Sequence, residues 1–202
     1  MFKFATLYNF CSQSHCADGQ NGGNSSQPAL IQGTDGNLYG TTPYGGNTTS
    51  GVNSNGWGTI FKMTPTGKLT TLYTFCTVSG CLDGGEPYGG LVQDTNGTFY
   101  GTTAVGGANS PGDGTVYSLY TGLGPFVETE PTSGKVGATV KILGTDLTGA
   151  TSVTFDGTAA SFTVVSESQI KATVPTGAAS GKVEVTTPGG TLTSNVNFHV
   201  SP

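Results

Sequence analysis

Two stretches of this chain carry nearly the same text in the same order. Leu7-Tyr8-Asn9-Phe10-Cys11, followed by Cys16 and Asp18-Gly19, returns as Leu72-Tyr73-Thr74-Phe75-Cys76, followed by Cys81 and Asp83-Gly84. Leu30-Ile31-Gln32-Gly33-Thr34-Asp35-Gly36-Asn37-Leu38-Tyr39-Gly40-Thr41-Thr42 returns at 91–103, and 58–63 returns at 114–119. An ordered repeat of this length is one supersecondary unit copied along the chain. Such a unit cannot bury its apolar face alone and needs neighbours.

Each copy predicts four short strands: 5–10 with 70–75, 29–33 with 90–94, 37–42 with 98–103, and 58–63 with 114–120. Asp35-Gly36 and Asn96-Gly97 lie between the second and third strands. Those dipeptides supply the positive φ angles of two-residue hairpin turns. The Gly-, Asn- and Ser-rich stretches 44–56 and 105–112 differ in length, as exposed loops do. Four strands per copy read as blades of a propeller, divided at about 1–64 and 65–123. A closed propeller takes roughly four to eight blades. Two copies therefore leave sheet edges exposed at both ends of the array, which invites association. Residue 1 enters the first strand directly, with no visible leader, so the natural start is expected upstream or the chain is a mature product.

Residues 122–125 (Gly-Leu-Gly-Pro) read as a hinge, and 125–202 carry a different pattern. Apolar and polar residues alternate over 139–142, 152–155, 161–165, 169–174, 182–186 and 195–200, with turn signals at Gly144, Asp156-Gly157, Pro175-Thr176-Gly177 and Pro188-Gly189-Gly190. This spacing predicts a two-sheet sandwich in the size class of immunoglobulin-like domains. Its expected core is Val140, Ile142, Val153, Phe155, Phe162, Val164, Ile170, Val174, Val183, Val185, Phe198 and Val200.

Composition narrows the function. Only 9% of the 202 residues are charged, against roughly 25% in an average globular protein. Net charge is −5 with 7 Lys and Arg. A nucleic-acid surface needs clustered cations to displace counterions, and an anionic membrane needs the same, so both partners are excluded. No apolar run approaches the roughly 20 residues of a membrane span. With 34 Gly and abundant Thr, Ser and Asn, the composition describes an all-β protein with many tight turns, suited to a surface outside the cell.

The four cysteines fall at matching places, Cys11 with Cys16 and Cys76 with Cys81. The simplest reading is one short disulfide per copy, which implies an oxidising, extracellular compartment. The alternative is one zinc ion held by all four thiolates, which requires loops of two copies to converge without a histidine.

No catalytic constellation is visible, and no cofactor is expected. His15 sits in a cysteine loop and His199 between Phe198 and Val200. Calcium is conceivable at Asp18 and Asp83, or at Asp94 with Asn96, although the dense carboxylates of a calcium loop are missing. Trp57, Tyr44 and Tyr88 are candidates for glycan stacking, set against the plainer role of packing between blades or subunits. Asn24, Asn47 and Asn96 head acceptor patterns for N-glycosylation, with Asn96 in a tight turn.

Both parts resemble known families. The run 131–147 (Pro-Thr-Ser-Gly-Lys-Val-Gly-Ala-Thr-Val-Lys-Ile-Leu-Gly-Thr-Asp-Leu), then Val153-Thr154-Phe155-Asp156-Gly157, 170–175 and Gly181-Lys182-Val183-Glu184-Val185-Thr186-Thr187-Pro188-Gly189-Gly190, resembles the IPT/TIG immunoglobulin-like domain. In bacterial surface proteins similar domains act as spacers or adhesive modules. The DNA-binding role of some relatives does not carry over to a copy this poor in cations. Residues 36–42 (Gly-Asn-Leu-Tyr-Gly-Thr-Thr), Gly45-Gly46 and 58–61 resemble the tandem repeats of large bacterial secreted proteins. That resemblance implies an extracellular, propeller-like array without established catalysis. The expected protein is all-β: two blade-like four-stranded repeats, then an immunoglobulin-like sandwich. It is expected to act as a self-assembling structural subunit joined through exposed sheet edges, or as an adhesin or carbohydrate-binding module.

Overall fold

The structure is a computed structural model, and it describes residues 3–19, 29–46, 55–108 and 112–202. Two compact units are present, 1–93 with 98–121, and 122–202 with 94–97. Nearly all regular structure is β; the described helices are single 3-10 turns at Ser14–Cys16 and Ser79–Cys81.

The first unit holds two sheets. One is four-stranded and runs in order β1 (Ile31–Gln32), β2 (Leu38–Thr42), β3 (Thr59–Met63) and β4 (Leu69–Thr74), all antiparallel. The other is three-stranded: β5 (Val92–Gln93), β6 (Phe99–Thr102) and β7 (Val116–Leu119). The sheets do not coincide with the sequence repeats. β4 is the first strand of the second repeat, yet it pairs with β3, the last strand of the first, with Thr59 opposite Thr74 and Met63 opposite Leu69. The first sheet therefore takes its outer strand from the repeat that follows. The expected strand at 5–10 is not formed: those residues pair with no strand among the described residues.

The hairpins occur where Asp-Gly and Asn-Gly placed them, with a longer turn than two residues. Gly33–Gly36 is closed by the Gly36 N–H donating to the Gly33 carbonyl at 2.9 Å, and only Gly36, at φ 77°, is left-handed. The Gly97 N–H donates to the Asp94 carbonyl at 2.8 Å in the second copy, with Gly97 at φ 89°.

The glycine inside each Leu/Phe-Tyr-Gly-Thr strand has a packing reason. Gly40 faces Phe61 and Gly101 faces Tyr117 across the ladder. A Cβ on Gly40 would meet the Phe61 ring at 2.7 Å, and one on Gly101 would meet the Tyr117 ring. The aromatic ring covers the backbone of the strand opposite.

The second unit is a sandwich. One sheet runs β13 (Phe162–Ser166), β14 (Gln169–Thr173), β10 (Thr139–Leu143), β8 (Glu128–Glu130); the other runs β12 (Thr158–Ala159), β11 (Ser152–Phe155), β15 (Val183–Thr187), β16 (Gly190–Thr193). β17 (His199–Ser201) pairs in parallel with β9 (Ser133–Lys135). The alternating residues interdigitate between the two faces, as expected of a sandwich. Nine of the expected core residues are buried; Phe162, Val164 and Val200 are only half-buried, packed against the edge of the core. Val127, Leu147, Ala172 and Leu192 complete it. Val127 and Leu147 lie outside the strands and Leu192 sits on the short β16, while Ala172 continues the alternation of β14 between Ile170 and Val174.

Gly40→Ala should lower the stability of the first unit by roughly 1–3 kcal/mol, the usual cost of overpacking. Thermal denaturation followed by near-ultraviolet circular dichroism checks this. An unchanged melting temperature would show that Phe61 swings aside freely.

Candidate functional site

Two cysteine loops are built alike. Cys11 is bonded to Cys16, and Cys76 to Cys81, so the thiolates of a shared zinc site do not exist. A carboxylate organises each loop from within. Asp18 accepts bonds from the Tyr8 hydroxyl (2.7 Å), the Ser12 N–H (2.9 Å), the Ser12 hydroxyl (3.0 Å) and the Gln13 N–H (3.3 Å). Asp83 accepts the same set from Tyr73 (2.8 Å), the Thr77 N–H (3.0 Å), the Thr77 hydroxyl (3.1 Å) and the Val78 N–H (3.3 Å). Cysteines 11, 16, 76 and 81 all adopt positive φ, uncommon for residues with a Cβ. The disulfide and the carboxylate together hold the backbone there. Asp18 and Asp83 are thereby committed to their loops, and no group of three or more His, Cys, Asp or Glu converges among the described residues. His15 is exposed on its loop, and His199 is exposed beside the Ser180 hydroxyl at 3.3 Å.

Burial pushes the Asp18 carboxyl up, but the donors from Tyr8, Ser12 and Gln13 more than offset it and hold it below the usual range. Asp83 is held low in the same way by Thr77, Tyr73 and Val78. Asp35 is also opposed by burial, yet Lys62 at 2.8 Å, Asn37 and Tyr39 bring it down to about 2.

The three aromatic candidates come together where the two sheets of the first unit meet. The Tyr44 and Tyr88 hydroxyls are 2.6 Å apart with rings at 86°. The Tyr88 hydroxyl donates to the Glu86 carboxylate at 3.2 Å, and the Glu86 N–H donates to the Trp57 carbonyl at 2.8 Å. Tyr44's hydroxyl, then burial and Glu86, raise the Tyr88 phenol above its ordinary range. Trp57 lies against Gly85, where an added Cβ would meet the indole at 2.9 Å. Nearby, Thr41 donates to the Pro87 and Gly89 carbonyls, and Tyr39 stacks on Phe99 with centroids 4.3 Å apart. All three candidate rings are half-buried and engaged in joining the sheets. Asn96 is half-buried and engaged by another group. Asn24 and Asn47 lie outside the described residues.

The feature that residue-type reasoning missed is the outer edge of β7, because it depends on which strand completes which sheet. Matching positions of the two sheets differ sharply there. Ile60 on β3 is 1% exposed, and its counterpart Val116 on β7 is 80% exposed. Phe61 is buried, while Tyr117 is half-buried with its hydroxyl unbonded. A cleft of about 350 Å³ runs along β7, lined by Tyr73, Phe75, Leu82, Val116, Tyr117 and Leu119.

The depressed carboxylates fix the direction of acid sensitivity. Their folded pKa values lie below the unfolded value of about 3.9. The stability they contribute is fully present above about pH 4 and is lost as pH falls through the folded values. Melting temperature measured against pH should decline below about pH 4. Asp18→Asn with Asp83→Asn should melt lower at neutral pH, by about 2 kcal/mol or more in total, and show a shallower acid decline. An unaltered acid slope would remove these two residues from the account.

Residues 127–200 match the family of IPT/TIG domains. No curated protein matches the chain. Among the described residues no helix is long and apolar enough to cross a membrane. The two disulfides suit an oxidising compartment, and IPT/TIG domains are consistent with immunoglobulin-like roles outside the cell or at its surface. The chain therefore carries, at residues 127–200, an IPT/TIG domain of immunoglobulin-like fold.

Proposed function

We propose that this protein is an extracellular structural subunit that assembles with copies of itself through the sheet edges of its first unit. The observation that carries the reading is the unequal pair of sheets, one with four strands and its repeat-related partner with three. Among the described residues no strand pairs with the outer edge of β7, which also carries exposed Val116 and Tyr120. An open apolar edge is a template for pairing with another chain. Nothing in the chemistry of the described residues competes with this role. Asp18 and Asp83 are committed to their loops, and the aromatic candidates for a glycan platform are engaged in joining two sheets. The sandwich would then serve as a spacer or display module on the assembly.

Static light scattering over a wide concentration range, with negative-stain electron microscopy of the same samples, tests this. Rings or fibres with a concentration-dependent mass are expected. A single monomeric mass at every concentration overturns the proposal.

A further inference from the structure

The edge of β7 has a candidate occupant in this same sequence. Residues 3–11 read Lys-Phe-Ala-Thr-Leu-Tyr-Asn-Phe-Cys, and 68–76 read Lys-Leu-Thr-Thr-Leu-Tyr-Thr-Phe-Cys. The second stretch contains β4, the outer strand of the four-stranded sheet. The first has the same pattern, lies in no sheet, and leaves Phe4 93% exposed and Leu7 47% exposed.

The far end of this segment already sits as its counterpart does. Tyr8 and Phe10 pack edge to face at 5.5 Å and 76°, as Tyr73 and Phe75 do at 5.3 Å and 77°. Phe10 packs on Phe61 at 5.1 Å and 64°, and Phe75 on Tyr117 at 5.1 Å and 63°. The Cys11 N–H donates to Gly19 O at 3.1 Å, and the Cys76 N–H to Gly84 O at 3.1 Å. Each loop is thus seated on its own sheet, and the strand leading into the second loop, β4, pairs in the sheet before it. Residues 4–9, which lead into the first loop, have no partner strand among the described residues, while Phe10 at their far end is already seated on Phe61.

We infer that residues 4–9 of one copy complete the three-stranded sheet of a second copy, pairing antiparallel with β7. This rests on the proposal of self-assembly and specifies its joint. Transferring the β3–β4 register gives the pairs: Phe4 with Leu119, Ala5 with Ser118, Thr6 with Tyr117, Tyr8 with Val116 and Asn9 with Thr115, and Leu7 takes the bulge that Leu72 takes in β4. The Phe10 N–H would donate to the Gly114 carbonyl, as the Phe75 N–H donates to Gly58 O at 3.0 Å. Val116 would be covered by Tyr8, as Ile60 lies opposite Tyr73. Donor and acceptor are different surfaces, so the contact is head to tail and gives a closed ring or an open fibre. With two sheets per copy, a ring in the usual range of roughly four to eight blades holds about two to four copies.

Two complementary variants of the full chain test the joint. Ala5→Pro disables the donor: Ala5 is the partner of Ser118 in the transferred register, so its N–H points into the ladder, and proline removes it and adds a steric clash. Ser118→Pro disables the acceptor. Thr103 bonds to Thr115 from the β6 side, so by alternation the Ser118 N–H points to the free edge, where proline is tolerated. Val116→Lys is a second acceptor variant that keeps the backbone intact, and circular dichroism verifies the fold of all three. Each variant alone should lose assembly affinity by at least about tenfold, the effect of a modest loss of binding free energy. An equimolar mixture of Ala5→Pro with Ser118→Pro should form a discrete 1:1 dimer, since one good donor and one good acceptor remain. If the wild type assembles and the variants assemble equally well, the strand joint is wrong while self-assembly stands. If the variants are impaired but the mixture yields no dimer, head-to-tail donation is overturned. If the wild type never leaves the monomer, both proposals fail together.

Discussion

The first unit depends on one ladder, the pairing of β4 with β3 across the boundary between the two repeats. A repeat whose four strands paired among themselves would be a self-contained sheet, joined to its neighbour by side-chain packing alone. Here the first sheet borrows its outer strand from the second repeat, so main-chain hydrogen bonds stitch the two repeats together. The seam sets the register of everything downstream. β4 leads into the Cys76–Cys81 loop, and that loop delivers Phe75 onto Tyr117 of the next sheet. One strand therefore closes one sheet and positions the next.

The cysteine loops show how a chain with few charges uses the ones it has. Among the described residues, Asp18 and Asp83 form no ion pair. Each spends its oxygens on two backbone N–H groups and two hydroxyls, donors that a left-handed loop would otherwise leave without partners. The donors are neutral, and they still hold the carboxylates in their charged form against the penalty of burial. The disulfide closes the same loop covalently. The tyrosine that begins the motif, Tyr8 or Tyr73, ties the loop back to the segment before it through its hydroxyl.

Much of this organisation was legible in the residues. The alternation of apolar residues located the sandwich strands and nine buried core positions, and Asp-Gly and Asn-Gly located both hairpins. Short strands with one hydrophobic side were missed at Glu128–Glu130 and Gly190–Thr193, since a three- or four-residue strand carries too little pattern to stand out. The boundary of the sheets was also hidden. The repeat shows that four strands recur but says nothing about which four share a sheet, because a cyclic shift of the unit leaves the text unchanged. Only the β3–β4 register distinguishes the two, and with it the strand at 5–10 loses its partner. Trp57, Tyr44 and Tyr88 were recognised as a set by residue type, while their convergence with Glu86 requires two loops from different repeats to meet.

The shift of register also changes what a count of two repeats means. If each repeat were a closed sheet, its flanks would present side chains, and any further contact would need two matched apolar faces. With the outer strand displaced by one sheet, a chain of two repeats exposes an acceptor ladder on β7 and a strand-like segment at 4–9 whose sequence matches that of β4. Main-chain ladders are nearly indifferent to side-chain identity. Selectivity at such a joint would come from the alternating side chains and from the aromatic that seats the following loop. Both copies have these elements: Tyr8 and Phe10 recur as Tyr73 and Phe75, and the Gly101–Tyr117 pair has its counterpart in Gly40 and Phe61. A protein of this composition has little charge with which to steer or reject partners. A ladder with a fixed register supplies geometric selection in its place.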